Sequence, residues 1–357
     1  MLVYEIEKHL IKTAKQVKTL QFSMRIPELE IDYSYSSTVP NQTFHSASVG
    51  KLMTTTLVFI AIEKGKINLD TKISSILEKR ILDNLFVIEG KDYQGDVTVK
   101  HLLAHTSGIN DYFESKTMDG SNFIDDIINN PDQFWEPKHL LDFTRNRQKA
   151  LAKPGSKFFY SDTGYVLLGL MVETLFEMPF NQALEMYIFE PAKMQDTGLC
   201  FYSDGFKPEH LAPLTINGVD VHLFNSVSCD FSGGGLYTTS DDLVSFLQCL
   251  YSSVFISQHS LNQMAEFNKR YRQGLHYGLG MMQLVFGEFF FLLKGLPTLQ
   301  GHLGVTGVHA WIDPKTNNVF TMNVGDTKAM AKSFKLLIVI IQKLEQAVKA
   351  DKLKSSI

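Results

Sequence analysis

Cysteine is scarce in this chain. Cys200, Cys229 and Cys249 are the three in 357 residues. They are too few for a disulfide framework and too scattered for a four-ligand zinc site. An odd count suits a reducing compartment. Positive charge is not in surplus either: 34 Lys and Arg face 38 Asp and Glu, a formal net charge of −4. A nucleic-acid partner, whose phosphates call for a cationic surface, is therefore not expected. Long apolar runs are missing as well. Phe289–Leu293 and Leu336–Ile341 are the greasiest stretches, far short of the ~18 residues a membrane span needs. The first twenty residues carry Glu5, Glu7, Lys8, Lys12, Lys15 and Lys18. They read as an amphipathic helix, not as the apolar core of a signal peptide. The expectation is a soluble, cytoplasmic chain, or an extracytoplasmic one if a leader was removed. Internal repeats and low-complexity segments are also absent.

What is present is an ordinary globular composition, with 44% apolar residues to bury. At roughly 150 residues per domain the length suggests about two domains, or one with an insertion. After the first helix, Leu29, Ile31, Tyr33 and Tyr35 alternate with polar residues, as in a half-buried strand, and Pro27 separates this run from Gln21–Ile26. Ser48–Lys64 reads as a buried helix that starts near Ser46 or Ala47 and stops at Gly65. Further helices are expected over Val99–Ala104 (with Thr98 as N-cap), Asp126–Asn130, Pro137–Thr144, Thr163–Phe176, Phe180–Phe189 and Ser240–Leu250. The last hundred residues turn to strand: Gly278–Phe286, Glu288–Leu293, Gly301–Val305, Val308–Ile312 and Val319–Val324. A helix over Lys328–Ala350 closes the chain, its stripe of Phe334, Leu337, Ile338, Ile341, Leu344 and Val348 suited to packing on a sheet. The expected fold is α+β: one antiparallel sheet joins both ends of the chain, the terminal helices flank it, and a mainly helical domain is inserted. The expected boundaries are 1–58 and 225–357 for the two parts of the α/β domain, with 59–224 as the insertion. A cleft between the two is the default place for a site.

Ser48 and Lys51 form a Ser-x-x-Lys pair on that buried helix, and residues three apart share a helix face. The spacing sets an ammonium beside a hydroxyl that is a poor nucleophile until a neighbour takes its proton. By itself the pattern is common. Tyr160-Ser161-Asp162 before a helix and Gly301-His302-Leu303-Gly304 in a strand make it specific. Together with Leu102–Gly108 (LLAHTSG), Ser232–Thr239 (SGGGLYTT) and Gly301–Pro314 (GHLGVTGVHAWIDP), the chain resembles the serine β-lactamase and penicillin-binding-protein superfamily. Within it, the chain is most similar to the branch of class C β-lactamases, DD-peptidases, D-aminopeptidases and esterases. The resemblance covers roughly residues 20 to 345 and implies a β-lactamase/transpeptidase-like fold. It implies that Ser48 is the nucleophile of an acyl-enzyme, that Lys51 takes or holds its proton, and that Tyr160 relays a proton to the leaving group. The backbone N–H groups of Ser48 and Val305 would form the oxyanion hole. Asp162, His302, Leu303 and Gly304 would meet the substrate, and no cofactor or metal is expected.

Three departures bear on the substrate. Asp162 stands where family members have Asn, and an ionised carboxylate cannot donate a hydrogen bond. It either faces the cleft, where it favours an ammonium, or caps the helix from Thr163. His302 replaces Lys and is mostly neutral at pH 7. Leu303 replaces Thr. These changes point away from anionic β-lactams and D-Ala-D-Ala peptides, toward a small ester, amide or peptide. A DD-peptidase or β-lactamase remains the first alternative, and a non-catalytic binding protein on the same fold the second. Other candidates carry less. Ser46–Gly50 lacks the first Gly of a G-x-S-x-G elbow. His101 and His105 have Leu102 where a zinc protease needs Glu, so His105 reads as a structural residue. Gly233–Gly235 has no P-loop Lys after it. Met281, Met282 and Phe289–Phe291 read as core, with an apolar cleft wall as the other use.

Overall fold

A computed structural model describes residues 2–355. Its central element is an eight-stranded antiparallel sheet. In chain order the strands are β1 (Gln21–Ile26), β2 (Ile31–Ser36), β3 (Lys269–Arg272), β4 (Leu275–Tyr277), β5 (Met282–Leu284), β6 (Leu299–Leu303), β7 (His309–Ile312) and β8 (Val319–Asn323). In space they run β3-β4-β5-β6-β7-β8-β1-β2. The β1–β8 pairing, Gln21 opposite Asn323 through Arg25 opposite Val319, joins the two ends of the chain. Pro27–Leu29 forms a single 3₁₀ turn between β1 and β2, closed by Glu30 in the left-handed region. In β2, Ile31, Tyr33 and Tyr35 are half-buried while Asp32 and Ser34 are exposed, the alternation the sequence shows.

Both faces of the sheet are covered. On one, α1 (Leu2–Ala14) and α5 (Met330–Ser355) pack Ile6, Leu10, Leu337 and Ile341 against Phe22, Met24, Trp311 and Phe320. Residues one position along the strands turn the other way. Ala310, Ile312 and Val319 meet a second core that includes Leu243 and Leu247 of α4 (Ser240–Tyr251). Thr321 Oγ1 donates to the Ser240 carbonyl at 2.9 Å, tying α4 to that face. The same core holds α2 (Lys51–Glu63) and α3 (Asp162–Phe176), which are apolar nearly all round. No helix among the described residues is long and apolar enough to cross a membrane.

Several expected elements are displaced. Glu288–Leu293 is not a strand. It forms two short helical turns, Phe286–Phe289 and Phe291–Leu293. The reason is topological: β5 and β6 pair directly, Leu284 opposite Leu299, so the residues between them are a connection. Of Gly278–Phe286 only Met282–Leu284 is β5; β4 ends before it at Tyr277, and the turn between the two holds Gly280 at φ +69°. The edge strand β3 has the sequence Lys-Arg-Tyr-Arg and shows no apolar period. Charged residues suit an edge because they discourage pairing with another chain. The helix from Ser240 is capped one residue earlier, by Thr239.

Candidate active site

The site begins where the chain enters α2. A 3₁₀ turn over Ala47–Gly50 leads straight into Lys51. From Phe44 to Ala61 every residue is buried except Ser48. The approach to Ser48 is held from several sides. The N–H of Ser46 donates to the Leu236 carbonyl at 2.8 Å, and its hydroxyl donates to the Gly234 carbonyl at 2.7 Å. The N–H of Ala47 donates to His45 Nδ1 at 3.1 Å. Gly234, at φ +149°, lies so close that a Cβ there would stand 2.0 Å from the Ala47 carbonyl oxygen.

Lys51 is fully buried. Its Nζ donates to Ser48 Oγ at 3.2 Å and to the Gly233 carbonyl at 2.6 Å, and it forms an ion pair with Asp162. It also lies over the rings of Tyr160 and Tyr165, 5.1 and 5.2 Å from their centroids. Asp162 does not cap α3. Ser161 does, accepting the N–H of Gly164, and so leaves the Asp162 side chain free to face Lys51. The capping alternative is thereby corrected.

Tyr160 is brought to the same place by an extended segment whose neighbour, Ser161, donates its N–H to His105 Nδ1. The rings of His105 and Tyr160 lie 4.2 Å apart. Among the described residues the buried Tyr160 hydroxyl makes no full hydrogen bond, yet Ser48 is near enough to favour its ionised form. Burial outweighs this and, with Asp162, holds the phenol well above its usual range. Tyr160 therefore rests as a neutral phenol rather than a tyrosinate.

A cleft of about 180 Å³ opens over these groups. Ser48, Tyr160, Asp162, Leu303, Gly304 and Val305 all border it. The close approach of Gly304 to the Ser46–Ala47 backbone sets Val305 beside Ser48, since a Cβ on Gly304 would stand 2.8 Å from that of Ala47. His302 departs from the expectation and does not border the cleft. Its side chain is fully buried on the other side of β6, where Nε2 accepts from the Tyr277 hydroxyl at 3.2 Å and Nδ1 donates to the Leu303 carbonyl. Burial and then Lys51 push the ring down to about 3, so it carries no charge at neutral pH. His302 supports β6 instead of meeting a substrate. Met282 and Phe289 border the cleft, whereas Met281 is core and Phe290 and Phe291 are exposed.

Three carboxylates not singled out from the sequence complete the setting. Asp230 and Glu114 border the cleft. Asp111 lies behind Asp162 and accepts the N–H groups of Asp162 and Glu114. Burial raises the carboxyl groups of Asp162, Asp230 and Glu114, and pushes Asp111 up to about 8. Arg272, 3.8 Å from Glu114, also borders the cleft. Their signal was present in the sequence. Asp111 and Glu114 follow the LLAHTSG stretch, and Asp230 comes just before SGGG.

The sheet order, the terminal helices and a helix opening on Ser-x-x-Lys define the β-lactamase/transpeptidase-like architecture. Solved structures share it. D-amino acid amidase from Ochrobactrum anthropi SV3 superposes with a TM-score of 0.80 at 21% identity, over 97% of this chain and 99% of that one. The hydrolase EstCE1 gives 0.76 at 18% identity, over 96% and 98%. The beta-lactamase family model matches residues 34–339, and the chain belongs to that family. It is 29% identical to penicillin-binding protein 4* of Bacillus subtilis, over 62% of this chain and 47% of that protein. It is 30% identical to a probable fimbrial assembly protein, FimD, of Dichelobacter nodosus, over 59% and 49%. The chain spans about half the length of the curated relatives it matches.

Proposed function

We propose that this protein is a serine hydrolase that needs no cofactor, forms an acyl-enzyme on Ser48, and cleaves small esters or amides whose acyl part bears a free amino group. One observation carries the reading. Ser48 is the single accessible residue in a buried segment, and its Oγ lies 3.2 Å from a fully buried lysine ammonium. Lys51 first passes its ammonium proton to the paired Asp162 carboxylate, and the free amine then takes the Ser48 proton as Oγ attacks the carbonyl carbon. The N–H groups of Ser48 and Val305 receive the oxygen that gains charge. The neutral Tyr160 phenol passes a proton to the leaving group, and the same residues in reverse order activate water for deacylation. The amino-group preference rests on Asp162, Glu114 and Asp230, which border one small cleft with Arg272 already beside Glu114. That setting opposes the anionic end shared by penicillins and D-Ala-D-Ala peptides. We also propose that residues 59–224 form the inserted unit between 1–58 and 225–357.

The test is intact-mass measurement with an acylating ester probe. Wild type gains one acyl group and Ser48→Ala gains none. The same adduct on the Ala variant would remove Ser48 from the reaction. Amino-acid amides and esters are expected to turn over faster than their N-acetyl counterparts, with penicillin left unreacted. Rapid penicillin turnover would favour the β-lactamase alternative instead.

A further inference from the structure

The strand Phe44–His45 delivers the chain to the nucleophile, and its His45 is buried. His45 does not border the cleft; it acts on Ala47. Its Nδ1 accepts the Ala47 N–H at 3.1 Å. Ala47 has φ +45°, a left-handed conformation that a residue with a β-carbon keeps only when its surroundings hold it. The peptide that follows carries the Ser48 N–H, so a change in the Ala47 backbone turns that donor. Burial pushes the His45 ring down to about 4, which leaves it neutral at pH 7. With Nδ1 accepting, the proton sits on Nε2. Among the described residues that Nε2–H has no hydrogen-bond partner, and it lies 4.0 Å from Asp230 Oδ2. An unpaired buried donor is unfavourable. What the ring supplies in return is the Nδ1 contact.

We propose that His45 is a positioning residue: its Nδ1 holds Ala47 in the left-handed conformation and so aims the Ser48 N–H into the oxyanion hole. The inference rests on Ser48 being the nucleophile. It predicts a split among substitutions by which ring atom each one mimics. Asn places its amide oxygen where Nδ1 lies, while Gln reaches the Nε2 position and leaves the Ala47 N–H unpaired. Phe keeps the volume and offers no acceptor.

The experiment measures kcat and KM on an ester substrate for H45N, H45Q and H45F. Alongside, the Ser48 adduct is followed by intact mass in each variant. H45N is expected to stay within about threefold of wild type. H45Q and H45F should lose about 10²-fold in kcat, the scale of one lost oxyanion donor, with KM within about twofold. Equal kcat in all three variants, with Ser48 still acylated in wild type, overturns the positioning role alone. Absence of any Ser48 adduct in wild type overturns the hydrolase reading beneath it. If H45Q or H45F fails to fold, the ¹⁵N spectrum of wild type decides. A bare Nδ1 with the proton on Nε2 supports the role, and a protonated Nδ1 overturns it.

Discussion

Asp162 is the residue whose meaning the structure changes most. In the sequence it had two uses, a helix cap or a cleft wall. In space it is the counter-ion of a fully buried lysine. Removing one partner of such a pair strands the other charge, which typically costs about 3–5 kcal/mol. Asp162→Ala is therefore expected to lower unfolding stability in urea by about that amount. Asp162→Asn keeps an oxygen for Lys51 to donate to and should lose less than half as much. The two variants also separate stability from selectivity. If Asp162 helps hold a substrate ammonium, Asp162→Asn narrows the preference for amino-acid esters over their N-acetyl forms by about tenfold. An unchanged preference in a folded Asn variant would move that duty to Glu114 and Asp230.

At the scale of elements, the site is a contact between one strand and one helix start. The end of β6 lies so near the Ser46–Ala47 backbone that only a residue without a side chain fits at 304. An added Cβ meets the Ala47 Cβ at 2.8 Å and the Ser46 oxygen at 3.2 Å. Gly304→Ala must push strand and helix start apart, and in the proposed mechanism the carbonyl oxygen sits between the Ser48 and Val305 N–H groups beside that contact. The expected result is a folded protein with kcat down about 10²-fold and KM little changed. Retained kcat would mean that the opening tolerates the shift. Much of this geometry was legible beforehand. The three-residue spacing of Ser48 and Lys51 fixes their shared face, and the positions of the Tyr160 and Gly301–Gly304 segments mark the other two walls. What the sequence could not show was direction. His302 and Leu303 are adjacent in a strand, so one must face the core if the other faces the cleft, and nothing in their identities says which. The Phe289–Leu293 segment misled for a related reason. Its apolarity suits a strand, but β5 and β6 had already taken each other as partners. The edge strand β3 was hidden because its pattern is set by charge rather than by burial.

Across the whole molecule, buried histidines make stability depend on acid. Burial holds His45 at about 4, and His302 and His309 at about 3. In the unfolded chain each ring binds a proton near pH 6.5. Between that value and its folded pKa, the unfolded state binds more protons than the folded one. Stability is then fully present above pH 6.5 and falls as the solution is acidified, by up to about 1.4 kcal/mol per pH unit for each ring. The buried carboxyls run the other way. Burial raises Asp111 to about 8 and Asp242 to about 6, so each becomes more favourable to the folded state as pH falls toward 4. The two trends overlap near neutrality, and the total curve conceals both. A difference between variants isolates one ring. His309 is suited to this because it is buried and does not border the cleft; there Nδ1 accepts the Trp311 N–H at 2.9 Å and Nε2 meets Ser333 Oγ at 2.7 Å. A proton on Nδ1 would set donor against donor. His309→Asn keeps an acceptor for Trp311 and cannot titrate. Between pH 7 and pH 5, urea unfolding should show His309→Asn losing about 2 kcal/mol less than wild type. Parallel stability curves for the two proteins over that range would show that His309 is already protonated in the fold, or that it titrates equally in both states.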